Sequence, residues 1–270
     1  MDYVHSHMPN AIADPNIPLT GAITAANPRP VPTLGRVTVQ NLPNSQSWYD
    51  ALEMQFRQRV RGANNFQVSY TLSRSMIDGC SGVCAGTLRA FARESLGLLA
   101  TTGRSLEYGY NPNDNRHNLS ISASFALPAG LQVSGIARVV SASPITNTCA
   151  CDLDGDGVFD RARGMPPTVG RRSLQAQLDA VNTYSASLNL APFTLDRLKV
   201  LPPAKNIDLR ITKGFTVGGA RRVELFVEAF NVINIVNRTG GIGDIRLATF
   251  NVPTGAQDAR QVQWGARYAF

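Results

Sequence analysis

The feature that most constrains this chain is a strict alternation of apolar with polar or small residues, repeated in long segments. In the last of them Val262, Trp264, Ala266, Tyr268 and Phe270 alternate with Gln261, Gln263, Gly265, Arg267 and Ala269. Because the side-chain period of a β-strand is two, such a segment is a strand with one apolar and one polar face. The same reading recurs at Val223, Leu225, Val227 and Ala229 among Arg222, Glu224 and Glu228, and at Ile207, Leu209 and Ile211 among Asp208, Arg210 and Thr212. It recurs again at Leu119, Ile121, Ala123, Phe125 and Leu127 among Ser120, Ser122 and Ser124. Phe66, Val68, Tyr70 and Leu72 follow it, as do Leu52, Met54 and Phe56 among Glu53, Gln55 and Arg57; 131–142 alternates less strictly. At about ten to thirteen residues, these seven strands exceed the ~5–6 of soluble proteins and suit the ~9–11 tilted residues that cross a bilayer.

The connections sharpen this. Short ones at 61–64, 128–130 and 218–220 take turns with long ones at 77–113, 143–204 and 233–257. If Phe270 ends a strand on the periplasmic side, every short turn lies there and every long loop outside, as in transmembrane β-barrels. The expected fold is therefore all-β, an antiparallel transmembrane β-barrel in the outer membrane, with its lipid as a partner. Short loop helices are expected around Leu88–Leu99 and Leu174–Val181. A secreted β-sandwich also alternates, but loops this long count against it.

Composition removes other classes. At 43% apolar residues, no run reaches the ~18–20 that a spanning helix needs. The net charge of +7 is dispersed, with Arg57, Arg59 and Arg61 alternating along a strand and Arg161, Arg163, Arg171 and Arg172 in a Gly/Pro-rich stretch. No basic-aromatic platform accompanies them, so nucleic acid is not an expected partner. His5, His7 and His117 have no recognisable nucleophile or carboxylate arrangement, so no enzyme is expected.

Pro9 to Ser47 reads as another long exterior loop, preceded by Tyr3-Val4-His5 as the stub of a strand. This divides the chain into 1–47, stub and loop, and 48–270, the C-terminal segment of a barrel. Seven strands and a stub do not close, whereas a bilayer demands closure. Met1 to Pro9 also lacks the basic and apolar regions of a secretory signal. The expectation is a fragment of a larger barrel, of the ~22-strand kind with a plugged lumen.

Tyr49-Asp50-Ala51-Leu52, then Tyr70-Thr71-Leu72-Ser73-Arg74-Ser75 and Asp114-Asn115-Arg116-His117-Asn118-Leu119, resemble the C-terminal barrel of TonB-dependent receptors. So do Asn206-Ile207-Asp208-Leu209-Arg210-Ile211-Thr212-Lys213, Glu228-Ala229-Phe230-Asn231-Val232-Ile233-Asn234 and the terminal Phe270. The Oar-like group, whose members often carry a carboxypeptidase-regulatory-like domain, is the most similar branch. The resemblance implies uptake of a large ligand by an intact parent protein. Its missing N-terminal plug and strands would be this chain's partners, and TonB would be reached only through the plug. It also implies that Phe270, with Tyr268, is a signal to the barrel-assembly machinery. A complete small barrel with a structural or adhesive role is the rival reading.

Three local motifs carry chemistry. Asp152, Asp154, Asp156 and Asp160 stand at positions 1, 3, 5 and 9 of a calcium-type loop with Gly157 at position 6. Arg163 at position 12 replaces the bidentate Glu, so Ca2+ is the one candidate cofactor and a weak one. Cys80, Cys84, Cys149 and Cys151 form two close pairs better suited to disulfides than to zinc, with connectivity open. Asn237-Arg238-Thr239 has the form of a glycosylation acceptor. Glu53, Arg57, Asp208, Arg210, Glu224, Glu228 and Arg267 are expected to line the interior, where opposite charges pair across strands.

Overall fold

A computed structural model describes residues 1–8, 12–13, 25–26, 28, 31, 33, 39–40, 46–60, 64–78, 109–111, 113–146, 168–169, 175, 178–179, 182, 185–186, 190–195, 201–219 and 221–270. Eight strands form one antiparallel sheet: β1 (Asp2–Met8), β2 (Gln46–Arg59), β3 (Asn65–Asp78), β4 (His117–Leu127), β5 (Leu131–Val140), β6 (Ala204–Thr216), β7 (Arg222–Phe230) and β8 (Gln261–Ala269). Each pairs only with its sequence neighbours, apart from Gly109–Tyr110, which adds to the upper end of β3. The sheet does not close, because β1 and β8 are its two edges. Among the described residues no second sheet packs on it, so it is not a sandwich.

All seven strands expected from alternation are present, and the stub is a strand in its own right. Asp2–Met8 pairs along its whole length with Ser47–Glu53. Several strands run further than alternation indicated. β2 begins at Gln46, inside the loop expected over 9–47, and β3 continues to Asp78, past the loop start expected at 77. The extra residues lie at the long-loop rim, where both faces meet polar surroundings. Alternation fades there, although the backbone ladder continues.

The register aligns the faces across the sheet. One row runs Phe56, Val68, Ile121, Ala137, Ile207, and another Phe125, Val133, Ile211, Val227, Trp264. On the opposite face one row runs Asn65, Ser124, Ser134, Arg210, Glu228, Gln263. The weaker alternation of β5 has a packing cause. Gly135 sits in the apolar row where a Cβ would lie 2.8 Å from Leu209 Cδ2, so Leu209 covers the gap.

Among the described residues nothing packs against the apolar face. Phe56, Ile211, Leu225, Val227 and Val262 are exposed, and Trp264 is 84% exposed. The buried apolar residues are Ala51, Met76, Leu178, Phe193, Ile245 and Phe250, none of them in the middle of that face. A contiguous bare surface of this kind fits a hydrocarbon solvent and not water. Phe56, Phe66, Phe125, Phe215 and Tyr268 lie toward its short-turn rim and Trp48 toward the other, the two levels at which aromatic girdles sit, with Tyr3 and Tyr70 near mid-strand. Lys213 lies at the short-turn rim over the Phe215 ring, 5.5 Å from its centroid, and donates to the Ala129 carbonyl. Its stem thus follows the apolar face while its charge reaches the turn.

Arginine at Val227, within the apolar band, should destabilise the bilayer-inserted protein by about 2–4 kcal/mol. Arginine at Gln263, on the polar face opposite Glu228, should cost under ~1 kcal/mol. Denaturant unfolding from lipid vesicles measures both, and equal costs would contradict the assignment of faces.

Candidate functional site

The polar face presents a continuous hydrogen-bonding wall. Ser124 and Ser134 hydroxyls lie 3.0 Å apart, and Gln132 Nε2 donates to Ser124 Oγ at 2.8 Å. Arg57 donates twice to Gln67 Oε1, at 3.2 and 3.0 Å. Arg210 Nη1 meets Glu228 Oε1 at 2.8 Å, and Gln263 donates to the other oxygen of Glu228. Arg222 Nε meets Glu224 Oε1 at 3.1 Å along β7, although Arg267 faces Glu224 across the ladder. Glu53, Arg57, Asp208, Arg210, Glu224, Glu228 and Arg267 thus share one face. Two aromatics stand among them. Phe226 covers Gly265, where a Cβ would come within 2.5 Å of its ring, and Arg210 stacks over it 4.3 Å from the centroid. Phe230 is 41% exposed and has no such cover.

At the long-loop rim, polar side chains tie the loops to the strands. Asn231 directly follows β7 with φ of +48°, a left-handed turn that Asn tolerates better than most residues. Its Oδ1 accepts from Ile235 N at 2.9 Å, and its Nδ2 donates to the carbonyls of Ile235 at 2.9 Å and Asp258 at 3.2 Å. Asn231 N donates to Asp208 Oδ1 at 2.9 Å. Asn234, at φ of +53°, accepts from Arg260 N at 3.0 Å, so the loop is clamped where it leaves and where it returns. Asp114, 1% exposed, plays the matching part at β3 by accepting from Ser75 N at 2.8 Å. In the long connections Phe193 and Phe250 meet edge to face at 5.6 Å, and Leu178 and Ile245 are also buried.

Below this rim lies a cavity of about 550 Å3, lined by Asn206, Asp208 and Phe230 from the strands and by Asn231, Asn237, Gln257 and Asp258 from the loop. A second cavity, about 390 Å3, shares Asp208 and Phe230 and continues down the wall past Arg210, Glu228, Ser124 and Ser134.

The residues singled out from sequence fare differently. Asp152, Asp154, Asp156 and Asp160, and the cysteines Cys80, Cys84, Cys149 and Cys151, lie outside the described residues, as does the helix expected at 88–99. Gln175, Leu178 and Asp179 are helical, with Gln175 Nε2 donating to Asp179 Oδ1 at 2.8 Å. His5 Nδ1 lies 2.7 Å from Asp50 Oδ1, and His117 Nδ1 lies 2.7 Å from Tyr70 Oη, both on the apolar face near the long-loop rim. His7 stacks on Trp48 at 5.7 Å. Asn237 is buried and exchanges both its side-chain hydrogen bonds with the Lys205 backbone, at 2.8 and 2.7 Å, so its amide is not presented for glycosylation. Tyr268 and Phe270 contact each other at 5.9 Å on the apolar side, and Phe270 is 95% exposed. Phe230 and Asn231 stand in the motif 228–234 that carries the resemblance, but the clamp, Phe226 over Gly265 and the exposure of Phe230 depend on neighbours across the ladder, so no local signal gave them these roles.

Replacing Asn231 with Ala removes three side-chain hydrogen bonds and strains the positive φ, and should loosen the β7–β8 loop by about 2–3 kcal/mol. Asn231→Gly relieves the strain alone and should fall between. External trypsin, cutting at Arg238 and Arg246, reads the opening as a faster cleavage rate.

Comparison with known families returned a model described as an outer membrane beta barrel domain, matching residues 2–263. Among curated proteins nothing matches. The polar face is accordingly the barrel interior, the apolar face the lipid contact, and the outer membrane the location. With an apolar band, aromatic girdles, alternating short and long connections and a match over nearly its whole length, the chain belongs to the outer membrane β-barrel domain family.

Proposed function

We propose that this chain supplies C-terminal strands of a TonB-dependent receptor of the Oar-like type, a non-enzymatic importer of a large ligand. The observation that carries the reading is the open sheet under packed exterior loops. In hydrocarbon an unpaired strand edge costs several kcal/mol per backbone group. The free edge of β8 and the stretch of β2 below Glu53 therefore call for further strands. Large, loop-capped barrels around a plug are the setting in which such loops and such a polar interior occur together. The motifs resembling TonB-dependent receptors fall at structural joints: Asp114 and Asn231 are the rim clamps, and 206–213 is the strand between the two cavity-lining walls.

The test uses the natural protein carrying this chain, purified in full from outer membranes, and the periplasmic domain of TonB. Binding that is lost when the plug-proximal N-terminal segment is removed is the expected result; no binding sinks the receptor reading. A second reading, a complete small barrel, is favoured by the count of eight strands, the smallest even number found in such barrels. It requires residues 1–270 alone to migrate on gels as a heat-modifiable monomer.

Two site proposals accompany the reading. Phe270, exposed beyond the last strand, is read as the assembly signal, so deleting it should lower the outer-membrane yield several-fold without changing expression. Asp152, Asp154, Asp156 and Asp160 are read as a weak calcium site from their spacing, and millimolar calcium should slow proteolysis of that loop.

A further inference from the structure

The two joined cavities on the interior wall have a chemistry that selects among ligands. The rim cavity is lined by two carboxylates, Asp208 and Asp258, by the amides of Asn206, Asn231, Asn237, Gln257 and Gln261, and by Phe230. Among the described residues no Lys or Arg lines it. In the continuation below, Arg210 is matched by Glu228 at 2.8 Å. Taken together, Asp208, Asp258 and Glu228 outnumber Arg210 in the lining and Arg138, which stands opposite Asn206 on the same face, so an anionic ligand meets no net positive charge here.

Part of the polar lining is already committed. Asn231 and Asn237 are consumed by the loop clamps, and one oxygen of Asp208 accepts from Asn206 Nδ2 and Asn231 N. Gln257, Asp258 and Gln261 are exposed, and their side chains make no hydrogen bond among the described residues. These free groups surround Phe230, the uncovered aromatic at the junction of the two cavities. Below it the wall continues as the hydroxyls of Ser122, Ser124 and Ser134 beside the exposed side chain of Ile136.

We infer that this site binds a neutral oligosaccharide, with a sugar ring packed on Phe230 and its hydroxyls bridging Gln257, Asp258, Gln261 and Asp208. A sugar hydroxyl both donates and accepts, so it satisfies carboxylates and amides alike without bringing charge. The C–H face of the ring matches the exposed aromatic. The volume of about 550 Å3 lies within the ~300–1,000 Å3 of ligand sites, and the hydroxyl-lined continuation suits an elongated chain of sugars.

The inference deepens the receptor reading by naming the ligand class. Its test takes the full natural protein in detergent on an array of neutral, uronic-acid and amino-sugar oligosaccharides, with calorimetry on the strongest neutral binder. Neutral glycans should bind first. Phe230→Ala should weaken them by about tenfold or more, Phe230→Trp should retain them, and Gln257→Ala should weaken them several-fold. No glycan binding, a preference for uronic acids or for cationic amino sugars, or affinity indifferent to Phe230→Ala would each overturn the proposal. TonB binding measured on the same preparations separates the two claims. A protein that contacts TonB but ignores neutral glycans loses only this inference, and one with Phe230-dependent glycan binding but no TonB contact loses only the receptor reading.

Discussion

Every side chain's surroundings in this protein follow from the hydrogen-bond register between adjacent strands. Because the side-chain period is two, a slip of one residue in any ladder would carry a whole strand's apolar set to the wrong face. Six successive ladders from β2 to β8 keep most Leu, Val and Ile on one side and Ser, Gln, Arg and Glu on the other, with Ile136, Phe226 and Phe230 as large apolar residues on the polar face. The cross-strand pairs reinforce this. Ser124 meets Ser134, Arg210 meets Glu228, and Phe226 fills the space over Gly265, so each polar or small residue has a counterpart that a shifted register would remove.

The same register sets the rims. Short turns reverse the chain with little structure of their own: Gly218 and Gly219 adopt positive φ between β6 and β7, and Pro128–Gly130 makes a single tight turn between β4 and β5. Long loops need anchoring, since their backbone groups leave the ladder. Asn231, Asn234, Asp114 and Asn237 supply it by accepting from or donating to main chain that no strand pairs. The loops then meet through the rings of Phe193 and Phe250, and Ile245 and Leu178 are buried in the same long connections. Asn251, fully buried with neither side-chain heteroatom partnered among the described residues, sits beside Phe250 at a cost of roughly 1–3 kcal/mol. A protein whose spanning region has no dry interior thus builds its small core outside the membrane.

Function follows from what that anchoring leaves free. Asp208 serves both sides at once: it holds the backbone of Asn231 and lines both cavities. The clamps use up Asn231 and Asn237, whereas Gln257, Asp258, Gln261 and Phe230 stand unengaged around the same space. Pairing of Arg210 with Glu228 offsets the one guanidinium that lines the two cavities.

Alternation alone determined the strand positions, the two faces, the parity of turns and the membrane setting, because hydrocarbon on one side and polar interior on the other write a period of two into the residues themselves. It placed the strand ends two residues short, at 46–47 and 77–78 on the long-loop rim, and it took Asp2–Met8 for a stub, because seven residues with His5 and His7 on the lipid side carry little apolar signal. Only the tertiary structure decided that Asn231 is a clamp, that Phe226 is covered while Phe230 is open, that Arg210 is neutralised, and that Asn237 is withdrawn from the surface. Those facts are set by which residue a ladder or a returning loop brings alongside. That pairing joins positions tens of residues apart, which no local pattern records.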